Sequence, residues 1–302
     1  KDIIMERQDN GQNEKNAKIR LMAAMFIFGT IGIFVRNIPL PSSVIALARG
    51  IIGTLFLIIF TGIKKIKISY KEIKNNLIIL CLSGMLIGIH WIFLFEAYHH
   101  TTVAIATLCY YLAPVFVIIV SPFVLKEKLS LKQAVCVAVA LVGMIFVSGV
   151  LKKGGLENLQ MTGIMFGIGA AAIYATVVIL NKHLKQISSY AMTIMQLGMA
   201  VMVLAPYTFL TQDVGKLTFS FMTIILLGVV GIVNTGITYG LYFSGIKELK
   251  AHTIAIFSYI DPIVAIFLSI IVLREKPDIF TIIGGALILG STLVSELSSH
   301  GK

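Results

Sequence analysis

The feature that most constrains this chain is a series of continuous apolar runs, each about 20 residues long. A run of that length is what a helix needs to cross the hydrocarbon core of a bilayer. Backbone groups in lipid must find their hydrogen bonds within the protein, so such runs fold as transmembrane helices. The strands of a membrane barrel would instead alternate with period two. The sequence therefore predicts an all-α integral membrane protein.

Ten such runs, called here spans one to ten, are bounded by charged or turn-forming residues. The predicted spans are residues 19–35, 43–63, 77–97, 102–125, 133–150, 162–180, 189–210, 219–245, 252–272 and 279–296. A Gly-rich segment at 152–160 separates five spans from five. We predict a disordered cytoplasmic tail at 1–17, a first five-helix repeat at 18–151 and a second at 161–297.

The distribution of charge predicts the orientation of the chain. Apolar residues make up 57% of the 302 residues, and the formal net charge is +11. Of the 25 lysines and arginines, 18 fall on one side of the spans, six on the other, and one is Arg49. By the positive-inside rule, both termini and the 64–76 loop are expected in the cytoplasm, with 152–160 and 274–278 outside. Basic loops between spans indicate a cytoplasmic membrane protein in a lipid bilayer, not a nucleic-acid-binding protein.

The two halves of the chain repeat each other. Several short motifs recur at one offset of 148 residues. The matched pairs are 88–91 with 236–239, Phe95 with Phe243, Tyr111 with Tyr259, Pro114 with Pro262, and 125–128 with 273–276. Each repeat has an odd number of spans, so the two halves must cross the membrane in opposite orientations. Inverted repeats of this kind recur in secondary transporters, where they place a binding site at the midplane.

These motifs resemble the EamA-type, ten-helix branch of the drug/metabolite transporter superfamily. The resemblance rests on the aromatic-rich stretches at 93–97 and 241–245, on each proline followed 13 residues later by Glu127 or Glu275, and on Arg49. It implies a central cavity lined mainly by helices 1, 3, 4, 6, 8 and 9, with helices 5 and 10 peripheral. It does not imply a substrate, because members carry amino acids, choline-like cations, nucleotides or sugars.

Asp261 is the sharpest candidate for a binding residue. A carboxylate in the middle of a span costs at least about 2.5 kcal/mol if it faces lipid, so it is expected to face the bundle interior. It either binds a cationic group or a proton, or it is a neutral acid bonded to a neighbouring helix. Pro262 removes a backbone donor, which frees the carbonyl near Ser258 for a ligand or for the serine itself. Pro114 does the same in span four, and we interpret both prolines as kinks or hinges.

Aromatic side chains are dense on the spans expected to line the cavity. Rings beside an acid can bind an organic cation through their faces. Packing is the better explanation for most of these tyrosines, and Tyr111 and Tyr259 are exceptions because they recur in both halves. His90 is a packing residue, part of a proton relay with Asp261, or part of a polar cavity wall. The predicted binding set is Asp261, His90, Trp91, Tyr110, Tyr111, Tyr174, Tyr239, Tyr242, Ser258 and Tyr259.

Three further charged residues receive structural roles. Glu127 and Glu275 each end a span beside basic residues, which predicts a salt bridge or a helix-end contact. Arg49, near the start of span two, is expected to extend toward the outer interface rather than to bind substrate.

The chain lacks a phosphate-binding loop, a zinc helix and a nucleophile elbow, so it is predicted to be no enzyme and to hold no cofactor or metal. We predict a secondary transporter that moves a small polar or cationic metabolite by alternating access, with amino acids or related compounds as the first choice. Coupling to protons stays open, as does monomer against weak homodimer. An intramembrane enzyme or a non-transporting receptor or scaffold is the alternative.

Overall fold

The protein is described here from a computed structural model. The structure describes residues 2–124, 126, 130–148, 151, 158–246, 249 and 251–299. The helices of the first repeat are Asp2–Gly29 and Ile31–Arg36 in span one, Ser42–Ile63 in span two, Tyr70–His100 in span three, Val103–Tyr110 and Ala113–Val124 in span four, and Leu131–Val147 in span five. In the second repeat, span six is Asn158–Asn181 and span seven is Ser189–Thr211. Span eight consists of Phe221–Gly228, the π-helix Val229–Ile237 and Thr238–Ile246, span nine of Ala251–Ser258 and Ile260–Ile271, and span ten of Ile279–Ser299.

The prediction of an all-α membrane protein is confirmed. Within the described residues, seven helical segments are long and apolar enough to cross a membrane. Three shorter apolar segments, Leu131–Val147, Ile256–Ile271 and Ile279–Ser295, correspond to spans five, nine and ten. The described backbone contains no strand.

The contacts between helices follow the internal repeat. Span one packs on spans eight and nine, and its counterpart, span six, packs on spans three and four. Span two packs on span eight, and its counterpart, span seven, packs on span three. Spans two and seven, four and nine, and five and ten pack against each other. Exchanging the two halves leaves this set of contacts unchanged, as a pseudo-twofold axis requires. With five spans in each half, that axis lies in the membrane plane.

Small residues set the distances between the packed helices. A Cβ added at Gly84 in span three would lie 2.7 Å from the carbonyl oxygen of Gln196 in span seven. A Cβ added at Gly236 in span eight would lie 2.4 Å from Cδ1 of Phe56 in span two. The two contacts join equivalent pairs of spans in the two halves, three with seven and eight with two. The Gly-x-x-x-Gly motifs at 84–88 and 236–240 therefore bring helices together within one chain.

The prolines of spans four and nine lie just after breaks in their helices. Span four breaks between Tyr110 and Ala113, and span nine breaks at Tyr259. Pro114 and Pro262 then occupy the first turn of the second segment, a position in which a helix tolerates proline. The helices of spans four and nine are thus interrupted directly before the two prolines.

The first helix differs from its prediction in two ways. It begins at Asp2, within the stretch 1–17 for which the sequence predicts a disordered tail. The tail lacks proline and continues the helix of the span backward, with an i,i+4 ion pair between Glu14 and Lys18 at 2.7 Å. The second difference is a break at Thr30 between the two helices of span one, which the apolar run did not predict.

A side chain of span eight forms hydrogen bonds at the break in span one. The amide of Asn234 donates to the carbonyl of Ile27 at 2.7 Å and to the hydroxyl of Thr30 at 2.8 Å. Asn234 belongs to the π-helical segment and is fully buried. The segment's wider turns also let the hydroxyl of Thr235 donate to Val230, five residues earlier, at 2.9 Å. Polar side chains of span eight therefore point into the bundle.

Candidate functional site

A central cavity of about 670 Å³ lies between the two repeats. Side chains from spans three, four, six and seven form most of its lining, spans one, eight and nine add two or three each, and spans two, five and ten add one each. Nine of the ten predicted binding residues line it: His90, Trp91, Tyr110, Tyr111, Tyr174, Tyr239, Tyr242, Ser258 and Asp261. Pro114 also lines it. Residues that are far apart in the sequence are thus gathered around one volume.

Asp261 is held by a tyrosine from the opposite repeat. The hydroxyl of Tyr111 donates to Oδ2 of Asp261 at 3.0 Å and approaches the carbonyl of Ser258 at 3.3 Å. That carbonyl is the one left without a helical donor by Pro262, four residues later. The proline thus leaves a carbonyl acceptor within 3.3 Å of the tyrosine hydroxyl. Within the described residues, Oδ1 of Asp261 has no hydrogen-bond donor and remains available to a molecule in the cavity.

The repeated tyrosines meet near the pseudo-twofold axis. The ring centroids of Tyr111 and Tyr259 are 6.3 Å apart. Tyr259 is buried and is the one predicted binding residue that does not line the cavity. Its expected direct contact with a ligand is corrected for this reason, and its ring packs against that of Tyr111. Pro262 is likewise buried next to Asp261 and does not line the cavity.

His90 lies in an aromatic cluster beside Asp261. Its ring centroid is 5.2 Å from those of Tyr110 and Tyr174, and Tyr110 in turn lies 5.7 Å from Tyr111. Nδ1 of His90 lies 3.1 Å from the carbonyl oxygen of Ala170. A carbonyl only accepts, so Nδ1 carries the hydrogen and Nε2 of the neutral ring is an acceptor. His90 is therefore held by packing on one side and offers a polar edge on the other.

A second aromatic group covers the span-eight side of the cavity. The ring of Phe28 lies 5.5 Å from Tyr239 and 6.5 Å from Tyr242, both nearly edge-on. Phe243 stacks on Tyr239 at 5.7 Å. Within the described part of the chain, no three His, Cys, Asp or Glu side chains converge as a metal site needs. The cavity instead offers ring faces, hydroxyls and one carboxylate.

The side chain of Arg49 does not lie where the sequence predicts. The expectation that it extends to the outer interface is wrong, because the side chain is 5% exposed and lines the cavity. Its Nε donates to the hydroxyl of Thr235 at 2.8 Å, and its guanidinium carbon lies 4.3 Å from the ring centroid of Trp91. Arg49 lies about two turns from the start of its helix, which is roughly 10 Å along the helix axis. The ring of Trp91 and the hydroxyl of Thr235 are therefore nearer to its side chain than the membrane interface is.

The lining extends toward one end of the bundle. It includes Gln133, Lys182 and Ser295, which lie at the ends of spans predicted to face the cytoplasm. At the opposite end, Arg36 donates to the carbonyls of Tyr98 and Thr101, the latter at 3.0 Å. That arginine does not line the cavity. The cavity therefore reaches the end that carries Lys182.

The carboxylate of Glu275 caps a helix of the other repeat. It accepts from the backbone N–H of Val103 at 2.9 Å and of Ala104 at 3.3 Å, at the start of span four. Those donors have no partner within their own helix. The expected helix-end contact is thus present for Glu275, while Glu127 lies outside the described residues.

Several lining residues escaped the sequence analysis. Gln196 donates to Ser83 and to Asn181, each at 2.7 Å, and together with Asn181 lines the end near Lys182. Phe28 and Thr193 also line the cavity. Single polar or aromatic residues in an apolar run carry no signal for the face they occupy. Arg49 did carry a signal in the sequence, because an ionisable residue within a span indicates a functional site.

Comparison with known proteins adds the family. The model of the EamA-like transporter family matches residues 17–149 and 161–296. An uncharacterized transporter YxxF from Bacillus subtilis is 28% identical over 297 residues, covering 97% of this chain and 93% of that protein. An uncharacterized transporter from Archaeoglobus fulgidus is 27% identical over 280 residues, covering 91% and 94%.

A solved structure shares the fold. One crystal structure superposes with a TM-score of 0.64 over 93% of this chain and 96% of that one, at 17% identity. The family match covers both five-helix halves, and the EamA-like family consists of transporters rather than enzymes. This chain, a multi-pass membrane protein with two repeats around one cavity, therefore belongs to the EamA-like transporter family.

Proposed function

We propose that this protein is a secondary transporter that moves a small polar or cationic metabolite across the cytoplasmic membrane. An amino acid or a related compound is the first candidate. The observation that carries the proposal is Asp261, a carboxylate with one free oxygen in a cavity walled by aromatic rings from both repeats. A carboxylate among ring faces suits an amine or other organic cation. Ten spans without a nucleotide site suit transport that uses no ATP.

Alternating access is the mechanism that best suits this arrangement. The site lies between inverted repeats, so that rocking of one half against the other can expose it to either side. The helix breaks before Pro114 and Pro262 provide bend points next to Tyr111 and Asp261. With the orientation predicted from charge, the cavity reaches the cytoplasmic end. The contacts of Arg36 with Tyr98 and Thr101 would then have to separate in the outward-facing state.

Asp261→Asn tests the function because it keeps the shape and removes the charge. A thermal-shift screen of the purified protein against amino acids, amines, nucleosides and sugars first supplies a ligand. That ligand is then measured in reconstituted vesicles for binding, exchange and pH-driven flux. If Asp261 binds a cationic group, binding should weaken roughly tenfold to a hundredfold, the range for losing a hydrogen bond to a charge. If it carries a coupling proton, uphill flux should be lost while exchange persists.

Asp213→Asn is the matched control. Asp213 makes an exposed ion pair with Lys216 at 2.7 Å and lies outside the cavity, so this variant should behave as wild type in every assay. Wild-type behaviour of Asp261→Asn in all three assays would contradict the proposed role of the acid. Binding with no exchange or flux in the wild-type protein would favour a receptor over a transporter.

A further inference from the structure

The cavity contains a buried cation as well as a buried acid. Arg49 uses Nε to bond Thr235 and lays its guanidinium over Trp91. Among the described residues, its two terminal amino groups have no hydrogen-bond acceptor. These groups are not sealed from the cavity, since Arg49 belongs to its lining. A buried guanidinium is costly unless its charge is compensated, so the open groups indicate a missing acidic partner.

The guanidinium is also held in place for such a partner. Thr235 accepts from Nε and donates its own hydrogen to the carbonyl of Val230 at 2.9 Å, which fixes the hydroxyl. The ring of Trp91 restrains the guanidinium from one face, and Phe95 lies 5.9 Å away. The edge with the two amino groups remains free. A planar fork of this kind matches the two oxygens of a carboxylate.

Arg49 and Asp261 do not neutralise each other. Within the described residues, no ion pair joins them, and the acid's contact is with Tyr111. One cavity therefore presents an unpaired positive group from span two and an unpaired negative group from span nine. An organic cation would satisfy only the acid and would leave the guanidinium facing another positive charge.

We infer that the substrate is a zwitterion of the amino acid type, with its carboxylate on Arg49 and its ammonium group on Asp261. This inference rests on the proposed transport function and narrows its substrate class. The aromatic rings between the two charges would cover the carbon skeleton. Arg49 thereby becomes a specificity-determining residue, which distinguishes amino acids from amines that lack the carboxylate.

Ligands that lack one charge at a time show how much Arg49 and Asp261 each contribute to binding. The probes are the L-α-amino acids with β-alanine and γ-aminobutyrate, the methyl ester of each binder, and the deaminated acid of each binder. Binding is followed through the emission of Trp91, the single tryptophan of the chain, which lies against Arg49. Wild-type protein should bind the amino acid roughly tenfold to a hundredfold more tightly than its ester. Arg49→Gln should reduce that ratio to about one, with ester binding little changed.

The variant Asp261→Asn distinguishes the zwitterion inference from the proposed transport function. It should weaken binding of the amino acid and of the ester alike. If the ester binds as well as the amino acid in wild type and Arg49→Gln changes neither, the zwitterion inference is overturned, while the transport function survives. If Asp261→Asn alters neither binding nor flux, the proposed function itself fails.

Milder variants cover the case in which Arg49→Gln does not fold. Arg49→Lys keeps the charge but loses the planar fork, and Thr235→Val removes a single hydrogen bond from the guanidinium. Each should lower the ratio of amino acid to ester affinity by a few fold. An unchanged ratio of amino acid to ester affinity in both folded variants would contradict the inference. Such a result would mean that Arg49 is structural and does not contact the ligand's carboxylate.

Discussion

Glu275 allows a prediction of stability whose size follows from the structure. Its two carboxylate oxygens accept from the N–H groups of Val103 and Ala104, which begin the helix of span four. Glu275→Gln keeps one carbonyl oxygen, removes the negative charge and turns an amide donor toward the second N–H. Losing a charge at a helix N-terminus costs about 0.3–1 kcal/mol. Leaving one N–H without its acceptor adds about 1 kcal/mol.

The unfolding free energy should therefore fall by about 1–2 kcal/mol. The side chain of Thr102 caps the same helix by accepting from the N–H of Ile105 at 3.1 Å, so the helix itself should persist. Denaturant titration in detergent micelles, followed by the emission of Trp91, measures the change. Ligand preference should stay as in wild type, because Glu275 does not line the cavity.

Glu96→Gln is the control for this measurement. Glu96 pairs with His100 at 3.3 Å, and both side chains are about one-third exposed. A partly exposed pair of this kind contributes about 0–1 kcal/mol, so the control should lose less stability than Glu275→Gln. The reasoning is refuted if the two variants lose equal stability. It is also refuted if Glu275→Gln unfolds like wild type but changes ligand preference.

Two further predictions concern packing and orientation. Gly84→Ala should lower the unfolding free energy by about 1–3 kcal/mol, because the new Cβ would lie 2.7 Å from the carbonyl oxygen of Gln196. Gly198→Ala should be neutral or slightly stabilising, because a Cβ there meets nothing within 4 Å; equal losses in the same titration would contradict the packing argument. In a background without the three native cysteines, single cysteines replacing Lys182 and Lys216 should react with an impermeant maleimide only from the cytoplasmic and outer sides, respectively. Labelling of both from one side would overturn the inverted topology.

Much of the architecture is readable from the sequence. Length and hydrophobicity define a span, because the energy of a residue in lipid depends mainly on its own chemistry. The shared offset of 148 residues predicts the repeat, and five spans per repeat then require inversion. Asp261 was assigned to the interior by the same argument, since the cost of a carboxylate in lipid is independent of its neighbours.

The partners of each polar group were decided by the tertiary structure. In an apolar run, the faces toward lipid and toward protein have similar hydrophobicity, so no periodic pattern says where a side chain points. The sequence therefore could not show that Arg49 turns inward to Thr235, or that Asn234 reaches the break in span one. Both bonds join residues about two hundred positions apart. A buried donor takes whichever acceptor packing brings within about 3 Å, and only the assembled bundle determines which one that is.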